Sequence, residues 1–122
     1  MSMKIGSYKD LEAYRKGYEL VKYIYVLTRR FPKEELYGIS SQMRRASISI
    51  PSNIAEGYMR GSKEYMQFLK VALGSCAELE TQLSLSKDLG FCNNSEFQKA
   101  HDLLTEIMKL LSSYLRRMRS KL

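Results

Sequence analysis

A single histidine, His101, is all the imidazole this chain brings to catalysis or to a metal. A site built on two histidines is therefore excluded, and the separated Cys76 and Cys92 lack metal-ligand spacing. Cys76 falls at helical spacing beside Ala72, Leu79 and Leu83, which makes it a core thiol rather than a nucleophile. Glu78 and Glu80 stand two positions apart, on different faces of a helix, and form a poor acid–base pair. Gly57 and Gly61 lack the lysine and the spacing of a phosphate-cradling loop. The inventory predicts no enzyme, no cofactor and no metal site.

Two other constellations carry chemistry of a different kind. Gln42, Arg45, Ser49, Ser52, Asn53 and Glu56 recur at three- and four-residue steps and form a polar stripe on one helix. Such a stripe is either an ordinary solvated face or a polar seam, buried or between subunits. Short Ser and Asn groups stand where an exposed helix usually carries Lys and Glu, which favours the seam. Glu78 and Glu80 have no basic neighbour in sequence, so Arg44 or Arg45 is expected to pair with one of them, within or between subunits. An unpaired buried charge would cost several kcal/mol.

The second constellation is basic. Arg15, Lys22 and Arg29 are seven apart and form a ribbon along one helix, with Lys16 and Arg30 close by. Arg116, Arg117, Arg119 and Lys121 crowd the chain's end. These cations suit phosphates, and Tyr8, Tyr14 and Tyr23 are candidate stacking rings for bases. Cations at a helix C-terminus also offset the macrodipole and need no ligand.

The elements that must position these residues read as four long helices, at 10–31, 33–59, 62–89 and 95–119. Ser7 and Asp10 resemble a capping box at the first start, and Pro32 ends that helix. Its apolar arc, from Leu11 through Tyr14, Tyr18, Ile24 and Leu27 to Phe31, covers more than half its circumference. One bundle needs a stripe of only about 100°, so the excess predicts self-association. On the second helix Leu36, Ile39, Met43, Ala46, Ile50, Ile54 and Gly57 keep phase across Pro51, which favours one kinked helix over two. Ser62 is the expected N-cap of the third and Gly90 its stop. Ser95 with Gln98 fits a capping box for the fourth, whose core stripe runs from Phe97 through Leu104 and Leu111 to Met118. This predicts a single all-α domain, an up-down-up-down four-helix bundle.

Bulk composition agrees. The 122 residues are 44% hydrophobic and 27% charged, which is globular rather than disordered. The net charge of +7 is uneven: residues 1–61 hold 11 cations and 6 anions, residues 62–115 hold 5 and 7, and residues 116–122 hold 4 and none. A basic surplus favours polyanions without choosing among them. The N-terminal segment has no apolar core and no run is long enough to span a membrane, so a cytoplasmic location without membrane contact is expected.

Several stretches resemble one known family. They are Phe31-Pro32-Lys33-Glu34-Glu35-Leu36-Tyr37-Gly38, Ser41-Gln42-Met43-Arg44-Arg45-Ala46, Ser49-Ile50-Pro51-Ser52-Asn53-Ile54-Ala55-Glu56-Gly57 and Glu78-Leu79-Glu80-Thr81-Gln82-Leu83. Together they are similar to the 23S ribosomal RNA intervening-sequence proteins, whose broader group includes the accessory protein of diversity-generating retroelements. The resemblance implies a four-helix bundle, often a ring-like homopentamer, encoded within ribosomal RNA insertions or near reverse transcriptases. Gln42, Arg44, Arg45, Asn53, Glu56 and Glu80 lie in these stretches and in the polar seam, so the resemblance favours a structural role for them over RNA contact. Two functions follow as expectations. One is a non-catalytic, homo-oligomeric basic scaffold that associates with nucleic acid, RNA foremost, through its phosphates. The other is a protein-binding adaptor, for a reverse transcriptase or a ribosome-related complex, without nucleic-acid contact.

Overall fold

The computed structural model describes residues 6–121. Among them lie four α-helices: α1 Glu12–Thr28, α2 Ile39–Arg60, α3 Ser62–Asp88 and α4 Asn94–Arg119. No strand occurs among the described residues. α1 packs on α2 and α4, and α3 packs on the same two, so the helices form an all-helical four-helix bundle.

Local chemistry sets each boundary. Ser7 and Asp10 do form the expected capping box: the Lys9 N–H donates to Ser7 Oγ at 3.0 Å and the Ser7 N–H to Asp10 Oδ2 at 3.2 Å. The box caps a 3-10 turn, Tyr8–Asp10, whose exit at Leu11 is extended, so α1 starts two residues later than expected. Its other end is Thr28, whose hydroxyl bonds back to the Ile24 carbonyl at 2.7 Å. Phe31 lies beyond the helix but is buried, with its ring 5.5 Å from that of Phe91.

The expected second helix begins six residues late. Lys33–Glu35 form a separate 3-10 turn, and Gly38 occupies the N-cap of α2. Leu36, read as the first core residue, is exposed instead. Pro51 then sits inside one continuous helix rather than between two. Its ring packs against α1 at Gly17, where an added Cβ would lie 3.4 Å from both Ile50 and Pro51.

A single residue, Gly61, turns α2 into α3. Its φ of 102° is a conformation that glycine adopts at little cost. It takes the cap position expected of Ser62, which becomes the first residue of α3. The Gly90 stop is as expected: with φ at 82°, its N–H reaches the Lys87 carbonyl and that of Phe91 reaches Ser86, a Schellman closure. The α4 cap is Asn93 with Glu96 rather than Ser95 with Gln98.

The core uses the expected stripes. Leu20, Ile24 and Leu27 of α1 meet Met43, Ile50 and Ile54 of α2, Leu69, Leu79 and Leu83 of α3, and Leu104, Ile107 and Leu111 of α4, all fully buried. Each such side chain contributes about 1.5–3 kcal/mol. Gly57 lets α2 approach α3: a Cβ there would sit 2.5 Å from Phe68 Cβ. Cys76 is buried as expected, and burial pushes its thiol up to about 12.

Candidate nucleic-acid interface

The polar stripe of α2 divides. Arg44, half-buried, turns to α1: its Nε donates to Thr28 Oγ1 at 2.9 Å and its guanidinium lies 4.8 Å from the Tyr25 ring centre. Glu80 turns to α4, with Oε2 3.0 Å from His101 Nε2, and His101 stacks on Phe97. The expected pairing of Arg44 or Arg45 with Glu78 or Glu80 therefore does not form in this chain. Thr28 and His101, three-dimensional neighbours invisible in sequence, take the partners' places. Arg45 and Glu78 are both exposed and line one cleft of about 440 Å³ with Tyr37, Gln42 and Ser49, without an ion pair between them. Ser49 Oγ bonds to Ser75 Oγ at 2.8 Å and accepts from Asn53 of the same helix, so of the short polar groups Ser49 joins α2 to α3. Glu56 faces solvent and pairs with Arg60 at 3.0 Å.

The basic ribbon of α1 also divides. Lys16 reaches Glu106 of α4 at 2.7 Å, and that hydrogen bond holds its ammonium above the ordinary lysine value. Lys22 pairs with Glu19 at 3.2 Å. Arg30 pairs with Glu96, the capping residue of α4. Lys16 and Arg30 thus tie the α1 side to α4, while the Lys22 pair lies within α1. Arg15 and Arg29 are exposed and have no ion pair among the described residues. Of the stacking rings expected from sequence, Tyr8 and Tyr14 pack edge to face at 5.1 Å, and Tyr23 donates to the Glu96 carbonyl at 3.1 Å.

What the fold assembles instead is one basic end. α1 and α3 begin where α2 and α4 finish, so Arg15, Lys63 and the last turn of α4 meet there. Arg116, Arg117, Arg119 and Lys121 are exposed, with no carboxylate partner among the described residues. Arg117 lies over the Tyr114 ring at 5.3 Å. Two clefts open between these groups. One, of about 780 Å³, is walled by Tyr58, Tyr65, Met66 and Met118, with Lys63 and Lys121 at its rim. The other, of about 590 Å³, lies between α1 and α4 and includes Arg15, Tyr114 and Arg117, with Asp10 and Glu12 also present. Tyr65, Met118 and Lys121 are common to both.

Sequence reading missed Lys63 and Tyr65 as members of this end; Tyr114, half-buried, packs against the core and also lines the second cleft. The signal was present: Gly61 turns α2 into α3, and an antiparallel bundle must then place residues 62–65 beside the tail of α4.

Apolar side chains remain outside. Tyr18 is 54% exposed, Val26 49% and Ile48 40%, and on α3 Val71 is 44% and Leu85 49% exposed. Tyr18, Val21 and Ile48 edge a groove of about 390 Å³ between α1 and α2. Among the described residues no helix is long and apolar enough to cross a membrane, and no three His, Cys, Asp or Glu side chains are placed to hold a metal ion.

Comparison with known proteins places the chain among relatives. A family model described as 23S rRNA-intervening sequence protein matches residues 9–113. A crystal structure from Bacteroides thetaiotaomicron, described as a protein with unknown function from the S23 ribosomal protein family, is 25% identical with a TM-score of 0.79. The match covers 84% of this chain and 97% of that one. No curated protein matches the chain.

Proposed function

We propose that this chain, which belongs to the 23S rRNA-intervening sequence protein family, is a non-catalytic, homo-oligomeric basic helical scaffold that associates with nucleic acid, RNA foremost, through phosphates. The observation that carries this reading is the convergence of Arg15, Lys63, Arg117 and Lys121 on one end of the bundle, without carboxylate partners among the described residues. Cations that stabilise the fold find carboxylates, as Lys16 and Arg30 do. Cations left together at a surface repel one another, and a polyanion relieves that repulsion by exchanging its counterions for them.

Self-association rests on a separate observation, the exposed Tyr18, Val26 and Ile48 of α1 and α2 and Val71 and Leu85 of α3. Of these, Tyr18 and Ile48 come together with Val21 in one groove, and contiguous exposed apolar surface marks contact sites. The same surfaces favour the second reading, an adaptor for a different protein. The two differ in where the apolar faces are covered: by copies of this chain, or only when the other protein is added.

The test of the first reading is a shift titration with RNA at low and at moderate salt. Phosphate-dominated binding weakens steeply as salt rises, with a log–log slope of roughly −0.7 to −0.9 per phosphate contact. The expected result is measurable binding at low salt and a slope equivalent to several contacts. Absence of binding at low salt, or binding indifferent to salt, contradicts it.

A further inference from the structure

We infer that the basic end takes single-stranded rather than duplex nucleic acid, its bases lodged in the two tyrosine-walled clefts and its phosphates on the cations at their rims. This rests on the reading above that the end binds nucleic acid, and it names the class of strand.

The argument is one of shape and chemistry. A surface that reads only phosphates needs exposed cations and nothing more. Here the cations border recesses of about 780 and 590 Å³, within the roughly 300–1,000 Å³ of ligand sites. Their walls are rings and thioethers, namely Tyr58, Tyr65, Met66, Tyr114 and Met118. A duplex keeps its base faces stacked inside and would leave these walls uncovered. A single strand offers each base as a flat apolar face, and base–aromatic stacking tolerates any sequence.

The spacing suits successive nucleotides. The clefts adjoin through Tyr65, Met118 and Lys121, so neighbouring bases can occupy neighbouring recesses with a phosphate at Lys121 between them. Lys63 lines the first cleft only and Arg117 the second only. The Tyr65 ring is held edge to face against Tyr58, 5.9 Å between centres, which fixes the platform before a base arrives. Arg117 over Tyr114 offers a second flat surface. The Tyr65 hydroxyl, like any phenol at neutral pH, is protonated and able to donate to a base edge. Asp10 and Glu12 border the second cleft and repel phosphate on that side, which directs the backbone toward Lys121 and Arg117.

The experiment is fluorescence polarisation of the full chain with two RNA probes. One is an unstructured single strand; the other is a blunt duplex with the same number of phosphates. Both are titrated against the unsubstituted chain, Tyr65→Leu and Tyr114→Leu; leucine keeps apolar volume but has no ring. The expected result is tighter binding of the single strand, lowered on the order of tenfold by each substitution, with duplex affinity and salt slope unchanged. Duplex bound as tightly as single strand overturns the inference, as does either variant that loses both probes equally or loses neither. Failure of both probes to bind at low salt overturns the underlying reading as well, and is thereby distinguishable. Should Tyr65→Leu fail to fold, Tyr114→Leu decides by itself.

Discussion

At the scale of single residues, the fold depends on places where a side chain is missing. α2 and α3 touch because Gly57 has no Cβ: one built there would lie 2.5 Å from Phe68 Cβ and 3.1 Å from the Tyr65 ring. Alanine gains about 1 kcal/mol in helix propensity over glycine, but overpacking a tight contact costs about 1–3 kcal/mol. The close atom is a Cβ and cannot swing away, so the clash wins. Gly57→Ala is expected to lower the midpoint of a denaturant melt. Gly74→Ala, where an added Cβ meets nothing within 4 Å, is expected to raise it by roughly 0.5–1 kcal/mol of stability. A Gly57→Ala protein as stable as the unsubstituted chain would refute this account of the α2–α3 contact. Residue chemistry was legible in sequence where it is local. Ser7 with Asp10 could be read because capping acts over three residues. At α4 two pairs have the same offset, Ser95 with Gln98 and Asn93 with Glu96, and the helix is capped by the earlier. Long-range partners such as Thr28 for Arg44 and His101 for Glu80 follow from packing and have no sequence signature.

At the scale of elements, helical periodicity fixed the core faces of all four helices but misjudged the start of α2. Leu36 keeps phase with Ile39 and Met43, yet the chain turns as a 3-10 segment at Lys33–Glu35 and leaves Leu36 outside. Local turn geometry after Pro32 outweighed periodicity there. Of the apolar arc expected on α1, Tyr18 is left exposed; Val26, outside that arc, is exposed as well, and α3 adds Val71 and Leu85. These outer faces carry the proposed self-association. A charge introduced on them leaves the core untouched, since they are exposed in one copy. Val26→Glu with Ile48→Glu is therefore expected to reduce the mass measured by light scattering while preserving helical content. An unsubstituted chain already monomeric at the same concentration, or an unchanged mass in the variant, would contradict the proposed use of these faces.

At the scale of the whole molecule, the linear charge pattern misled in one respect and informed in another. The cations of residues 1–61 suggested a ribbon along α1, but Lys16, Lys22 and Arg30 are spent on Glu106, Glu19 and Glu96. The tail could be read directly because residues 116–122 hold 4 cations and no anion. What the linear charge pattern did not display by itself was the convergence of Arg15, Lys63 and that tail, which are far apart in the chain and meet through the alternation of helix direction. The account places nucleic-acid phosphates at this end and nowhere else on the surface. The most direct measurement compares RNA affinity, at one low salt concentration, for two double reversals with the same change in net charge: Arg117→Glu with Lys121→Glu at the basic end, and Arg29→Glu with Lys33→Glu at the opposite end. The account predicts a loss on the order of tenfold or more for the first pair and a clearly smaller one for the second. Equal losses from both pairs, or a greater loss from the second, would show that binding follows overall charge or lies elsewhere, and would contradict it.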